Sequence, residues 1–262
     1  MRFLSSVPRW IISASILFGG LFTIAYAVPA LERRGMPAGI VAGGVLVVLM
    51  LASIRVVLGE FPPRGRRRML ADLAAERGLR FRVRPRLPRS MARLPSLSDS
   101  RRSSWDAWHL IVLPVEPAVL TFDRRVSPED AHEPPTWFAS AARPIPIEAP
   151  SLIVEPRPAI TADPLGPLLV WTSESEAFAH RARIRTTDRY FATAFLDQRM
   201  LAWLIDQDPT WTFEVGGPWA MVSRPPLARA DRFDDAIRVV DGFCERIPRA
   251  ALSMYASSSD AR

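Results

Sequence analysis

The sequence predicts a membrane-anchored α+β protein, a two-helix transmembrane hairpin followed by a mixed, mostly antiparallel sheet domain with short helices. Three observations predict it: two apolar runs near the N-terminus, a dense run of arginine directly after them, and short apolar stretches punctuated by proline further on.

The anchor comes first. Residues 10–28 carry no charge, and at about 1.5 Å per residue such a run crosses a hydrocarbon core of about 30 Å. Residues 38–58 are equally apolar except for Arg55, which lies near the run's end and can snorkel to the interface. Gly43 and Gly44 fit ordinary helix packing. The link, residues 29–37, is too short for anything but a hairpin connection and holds Arg33 and Arg34. Arg64, Arg66, Arg67 and Arg68 follow the second run at once, so the positive-inside rule predicts a multi-pass protein of the inner (plasma) membrane with both termini cytoplasmic. An alternative reads Arg2, Arg9 and Ala25-Tyr26-Ala27 as a cleaved signal peptide. The second run would still hold the domain in the cytoplasm.

The organisation expected is an anchor over 1–60, a basic juxtamembrane helix and loop over 61–104, an α+β domain over 105–255 and a disordered tail over 256–262. Residues 61–104 hold 13 Arg against Asp72, Glu76 and Asp99, a local charge of +10, whereas 105–262 hold 16 Arg against 22 carboxylates, in a chain of net charge +7. The collar predicts contact of Arg64, Arg66, Arg67 and Arg68 with anionic headgroups; nucleic acid is the lesser alternative, because the bilayer is the nearer polyanion.

Within the collar, Met69, Leu70, Leu73 and Ala74 share a face of a helix over 66–77 that Gly78 stops. Residues 81–84 alternate like an exposed strand. Pro85, Pro88, Pro95 and the serines up to Ser104 mark a loose, flexible or partner-binding loop. Apolar runs at 109–114, 118–122, 137–141, 152–155 and 168–172 predict antiparallel strands with proline at their ends, and 178–184 reads as extended. Thr187 and Asp197 cap two short helices. Residues 211–215 and 219–222, joined by Gly216-Gly217, predict a hairpin. A last helix spans about 231–246, with Phe233, Ile237, Val240 and Cys244 on one stripe. Cys244 is read as a small buried hydrophobe.

From Ser173 the run SESEAFAHRARIRTTDRYFATAFLDQRMLAWLIDQDPTWTFEVGGPWAMV, followed by FCERIP, resembles a family of uncharacterised actinobacterial membrane proteins. The resemblance implies a transmembrane anchor and a soluble α+β C-terminal domain. It implies no reaction.

Composition excludes some chemistry. The chain has no lysine and no asparagine, hence no Schiff-base or P-loop lysine and no N-glycosylation acceptor. His109, His132 and His180 lack metal-ligand spacing, so no metal and no cofactor is expected. Ser173 and Ser175 with His180 and Asp188 compose a triad only on paper, without a nucleophile elbow. Glu174 and Glu176 read as solvated carboxylates, and Trp105, Trp108, Trp137, Trp171, Trp203, Trp211 and Trp219 as core rather than a ligand surface. What remains is a membrane-tethered cytoplasmic interaction module with a protein partner. The alternative is an enzyme acting on a lipid-linked or envelope precursor at the inner leaflet.

Overall fold

The computed structural model describes residue 47 and residues 65–98, 103–128, 135–157, 168–173, 175–225 and 232–256. The runs 10–28 and 38–58 lie outside these apart from Val47, as do Arg64, His132, Glu174 and the tail from 257. No helix among the described residues is long and apolar enough to cross a membrane. Gly65–Pro128 and Thr136–Arg262 belong to one compact unit, so from Gly65 onward the basic segment is built into the domain.

In chain order the elements are α1 (Arg66–Glu76), β1 (Arg80–Arg82), a 3-10 turn (Arg89–Arg93), β2 (Ser103–Leu113), β3 (Val119–Pro128), β4 (Thr136–Pro156) and β5 (Leu169–Trp171). There follow α2 (Glu176–Arg181), β6 (Ala182–Thr186), α3 (Arg189–Phe195), α4 (Gln198–Asp206), β7 (Thr212–Arg224), α5 (Arg232–Glu245) and α6 (Arg249–Met254). The strands form one seven-stranded sheet in the order β1-β2-β3-β4-β6-β5, with β7 also on β4. Every recorded pairing is antiparallel.

β4 joins two runs that the sequence separates. Its first part pairs β3 as far as Ala142, its last part pairs β6 from Leu152, and β7 runs along the other edge with register shifts between Pro144 and Leu152. Pro144, Pro146 and Pro150 fall where neither β3 nor β6 pairs with β4. A missing N–H is tolerated there, which is why prolines do not end this strand.

The expected hairpin at Gly216-Gly217 is one continuous strand, β7. Gly217, at φ +56°, faces Ala149 at a register shift, so it makes a bulge. Gly216 answers a different need: a Cβ there would stand 2.2 Å from the Arg93 carbonyl oxygen.

That contact belongs to the segment 85–98, expected to be loose. Met91, Leu94 and Leu97 are buried against Leu110, Leu120, Phe122, Trp219 and Met221, contributing about 1.5–3 kcal/mol each. Ser96 N–H donates to Glu214, Trp219 Nε1 to Ser90 Oγ and Ser151 Oγ to the Arg93 carbonyl. The segment is an arch closing one face of the sheet.

Helices cover the other face. Leu152, Val154, Ile184, Phe213 and Val215 pack with Phe178, Phe191, Phe195, Met200, Leu204, Val240 and Phe243. Residues 178–184, expected extended, divide into α2 and β6 because Ser175 caps α2, accepting from Phe178 N–H. Asp188 rather than Thr187 caps α3, accepting from Tyr190 and Phe191, and Asp197 caps α4. Leu70 and Ala74 of α1 meet Ile111 and Phe233 in a smaller cluster.

Candidate functional site

The charges that enter the interior are matched. Arg66, first residue of α1, donates through Nε and Nη2 to the two Asp123 oxygens at 2.9 Å each, and Asp123 Oδ2 also lies 2.8 Å from His109 Nδ1. All three are at most 6% exposed. His109 adopts φ +52° where the β2–β3 register shifts between Trp108 and Ile111, and its N–H donates to the Val83 carbonyl. Its Nε2 meets no hydrogen-bond partner among the described residues. The adjoining cavity, about 10 Å³, holds no organic substrate. The triad clamps α1 to the sheet.

Beneath the arch, Arg185 donates to Glu155 at 2.6 Å, and Arg124 donates to the Ser96 carbonyl and lies over the Phe138 ring at 4.8 Å. Burial pushes the Glu214 carboxyl above its ordinary range, opposed by Arg124, and burial lowers Arg124, opposed by Glu214. These groups are sealed from solvent, which suits structure rather than turnover.

Two of the clefts among the described residues open outward. The larger, about 870 Å³, runs between α4, the ends of β7 and α5. Arg224 lies over the Trp211 ring at 4.5 Å and near Asp208 and Asp235, while Arg246 lies over Trp203 at 5.1 Å. Arg77 pairs with Asp234, whose carboxyl that hydrogen bond holds below the usual range. Asp241 and Glu245 extend the lining, so the cleft alternates sign around two arginine-capped indoles. The smaller cleft, about 550 Å³, is bounded by Arg84, Arg86, Arg125, Trp105, Trp108 and Asp106, with Pro85 and Leu87.

The residues singled out in the sequence are not assembled. Of the arginines expected at the membrane surface, Arg67 and Arg68 are exposed but Arg66 is buried on Asp123; a carboxylate inside the fold outcompetes the surface role. Ser173 accepts from Ser175 N–H, Ser175 and Asp188 are helix caps, and exposed His180 lies 3.8 Å from Glu176. Neither outward cleft includes Glu176, His180 or Arg181. No group of three or more His, Cys, Asp or Glu among the described residues could hold a metal ion. Trp211 and Trp219 are buried, whereas Trp105, Trp108, Trp137, Trp171 and Trp203 are only partly so. The Arg66–Asp123–His109 cluster was missed: His109 stands as a lone polar residue at the start of a strand-like run, but Asp123 is followed directly by Arg124 and Arg125 and reads as part of a charged stretch.

No protein-family model matches the chain, and no curated protein matches it in sequence. In fold it is similar to the crystal structure of the mycobacterial trehalose monomycolate transport factor A, TtfA. The match has a TM-score of 0.52 at 13% identity and covers 70% of this chain and 94% of that one. At that identity the likeness is one of fold.

Proposed function

We propose that the protein is a membrane-tethered interaction module, held at the inner membrane with both termini cytoplasmic, whose described unit binds a protein partner through the larger cleft. The observation that carries this is the cleft's composition. Trp203, Trp211, Arg224 and Arg246 belong to the residue types that dominate interface energetics, and the alternating charges around them supply register. Among the described residues the interior charges are engaged with one another and form no open catalytic constellation. The resemblance of the C-terminal run from Ser173 to uncharacterised actinobacterial membrane proteins accords with this reading. The fold shared with a transport factor directs the search for the partner to transport machinery.

The test uses the full chain, solubilised in detergent and captured with its partners after cross-linking. Arg238 and Glu245 line the cleft and are exposed, so Arg238→Glu with Glu245→Arg should abolish recovery of a reproducible partner while leaving the near-ultraviolet circular dichroism intact. Recovery undiminished by the double change, or no reproducible partner at all, would sink the proposal.

A further inference from the structure

The smaller cleft has no part in that reading, and its chemistry is different. Arg84 and Arg86 make no ion pair among the described residues, and the Arg84 guanidinium carbon lies 4.4 Å from the Trp108 ring centroid. Arg125, its side chain 15% exposed, lies 3.6 Å from Asp106. Three guanidinium groups therefore face one carboxylate. The Trp108 indole N–H is buried and meets no acceptor among the described residues. The walls are fixed: Trp105 Nε1 donates to the Leu97 carbonyl, and His109 N–H donates to the carbonyl of Val83, in the bend after β1 that carries Arg84.

We propose that this cleft is a binding site for the phosphate group of an anionic amphiphile, with Arg84 and Arg86 engaging the phosphate oxygens and the Trp108 ring holding Arg84 in place. Guanidinium groups match phosphate in geometry and are weakly hydrated. Stacking on Trp108 orients Arg84 beforehand. Leu87, Pro85 and the Trp105 ring line the same cleft, and its volume of about 550 Å³ leaves room beside a phosphate for the apolar part of an amphiphile. The site is separate from the arginines that follow the second apolar run, and it stands whether or not the larger cleft takes a partner.

The experiment is titration of the full chain, in nanodiscs of phosphatidylcholine, with dihexanoyl phosphatidylglycerol, followed by calorimetry, with inorganic phosphate as the competing probe. Saturable binding is expected, weakened at least about tenfold by Arg84→Gln with Arg86→Gln, as charge-assisted hydrogen bonds of this kind require, and several-fold by Trp108→Leu, which removes the aromatic face on which Arg84 lies. Arg189→Gln, on the exposed start of α3, should bind as the unaltered chain does. Displacement by inorganic phosphate at equal concentration would keep the phosphate site and assign it to the free ion. Absence of saturable binding, or binding unchanged by both cleft variants when circular dichroism shows them folded, would overturn it.

Discussion

Asp123 is where a single residue carries the most structure. It accepts two hydrogen bonds from Arg66 and one contact from His109 inside the fold. Asp123→Ala would remove both hydrogen bonds that Asp123 accepts from the buried Arg66 guanidinium, at a cost of about 3–5 kcal/mol, visible as a lowered midpoint in chemical denaturation of the full chain; a shift below about 1 kcal/mol would show that the Asp123 pair carries little of the stability. Gly216→Ala meets backbone rather than a flexible side chain, with the Arg93 oxygen 2.2 Å from the new Cβ. It should destabilise by about 1–3 kcal/mol or more and speed amide exchange across 89–98. Cys244, its thiol pushed up to about 12 chiefly by burial, should react with thiol reagents at pH 8 only on unfolding. Its folded value lies above the unfolded value of about 8.5, so between the two the unfolded chain sheds the proton first and stability falls as pH rises. Cys244→Ala should flatten that slope in denaturation curves recorded at pH 8 and pH 10.

At the scale of elements, legibility followed locality. α1, α4 and α5 announced themselves through a 3.6-residue stripe and their stops or caps, which are local properties. The edge strand β1 showed as alternation. β4 and β7 were misread because proline and the paired glycines are punctuation only when their surroundings are unknown; which edge of β4 lacks a partner, and what presses on Gly216, are facts about residues far away in sequence. The arch was misread for the same reason, its serines and prolines concealing Met91, Leu94 and Leu97. Replacing Leu94, fully buried, by alanine should cost about 2–5 kcal/mol; a loose loop would register almost nothing in the same denaturation experiment.

For the whole molecule, composition pointed to a membrane-tethered domain, and neither cleft was legible. Arg84 and Trp108, or Trp203 and Arg246, become neighbours only when strands and helices assemble. The placement of the termini is open to direct measurement: with Cys244→Ala, a single thiol introduced as Gly35→Cys should label in intact cells with a membrane-impermeant reagent, whereas Ser258→Cys should stay protected. Labelling of the second alone would reverse the proposed orientation and send the partner search outside the cytoplasm.

The arch also has a bearing on how the chain is made. Ser96 and Ser90 bond to Glu214 and Trp219, 118 and 129 residues further along, so a ribosome at about 5–20 residues per second needs roughly ten seconds between extruding the arch and extruding the strand that receives it. Throughout that interval Met91, Leu94 and Leu97 lack Trp219 and Met221, the part of their covering that β7 supplies. A nascent chain halted before β7 should therefore be cut by protease within 89–98 and bound there by chaperones, and release of the finished chain should close both windows together.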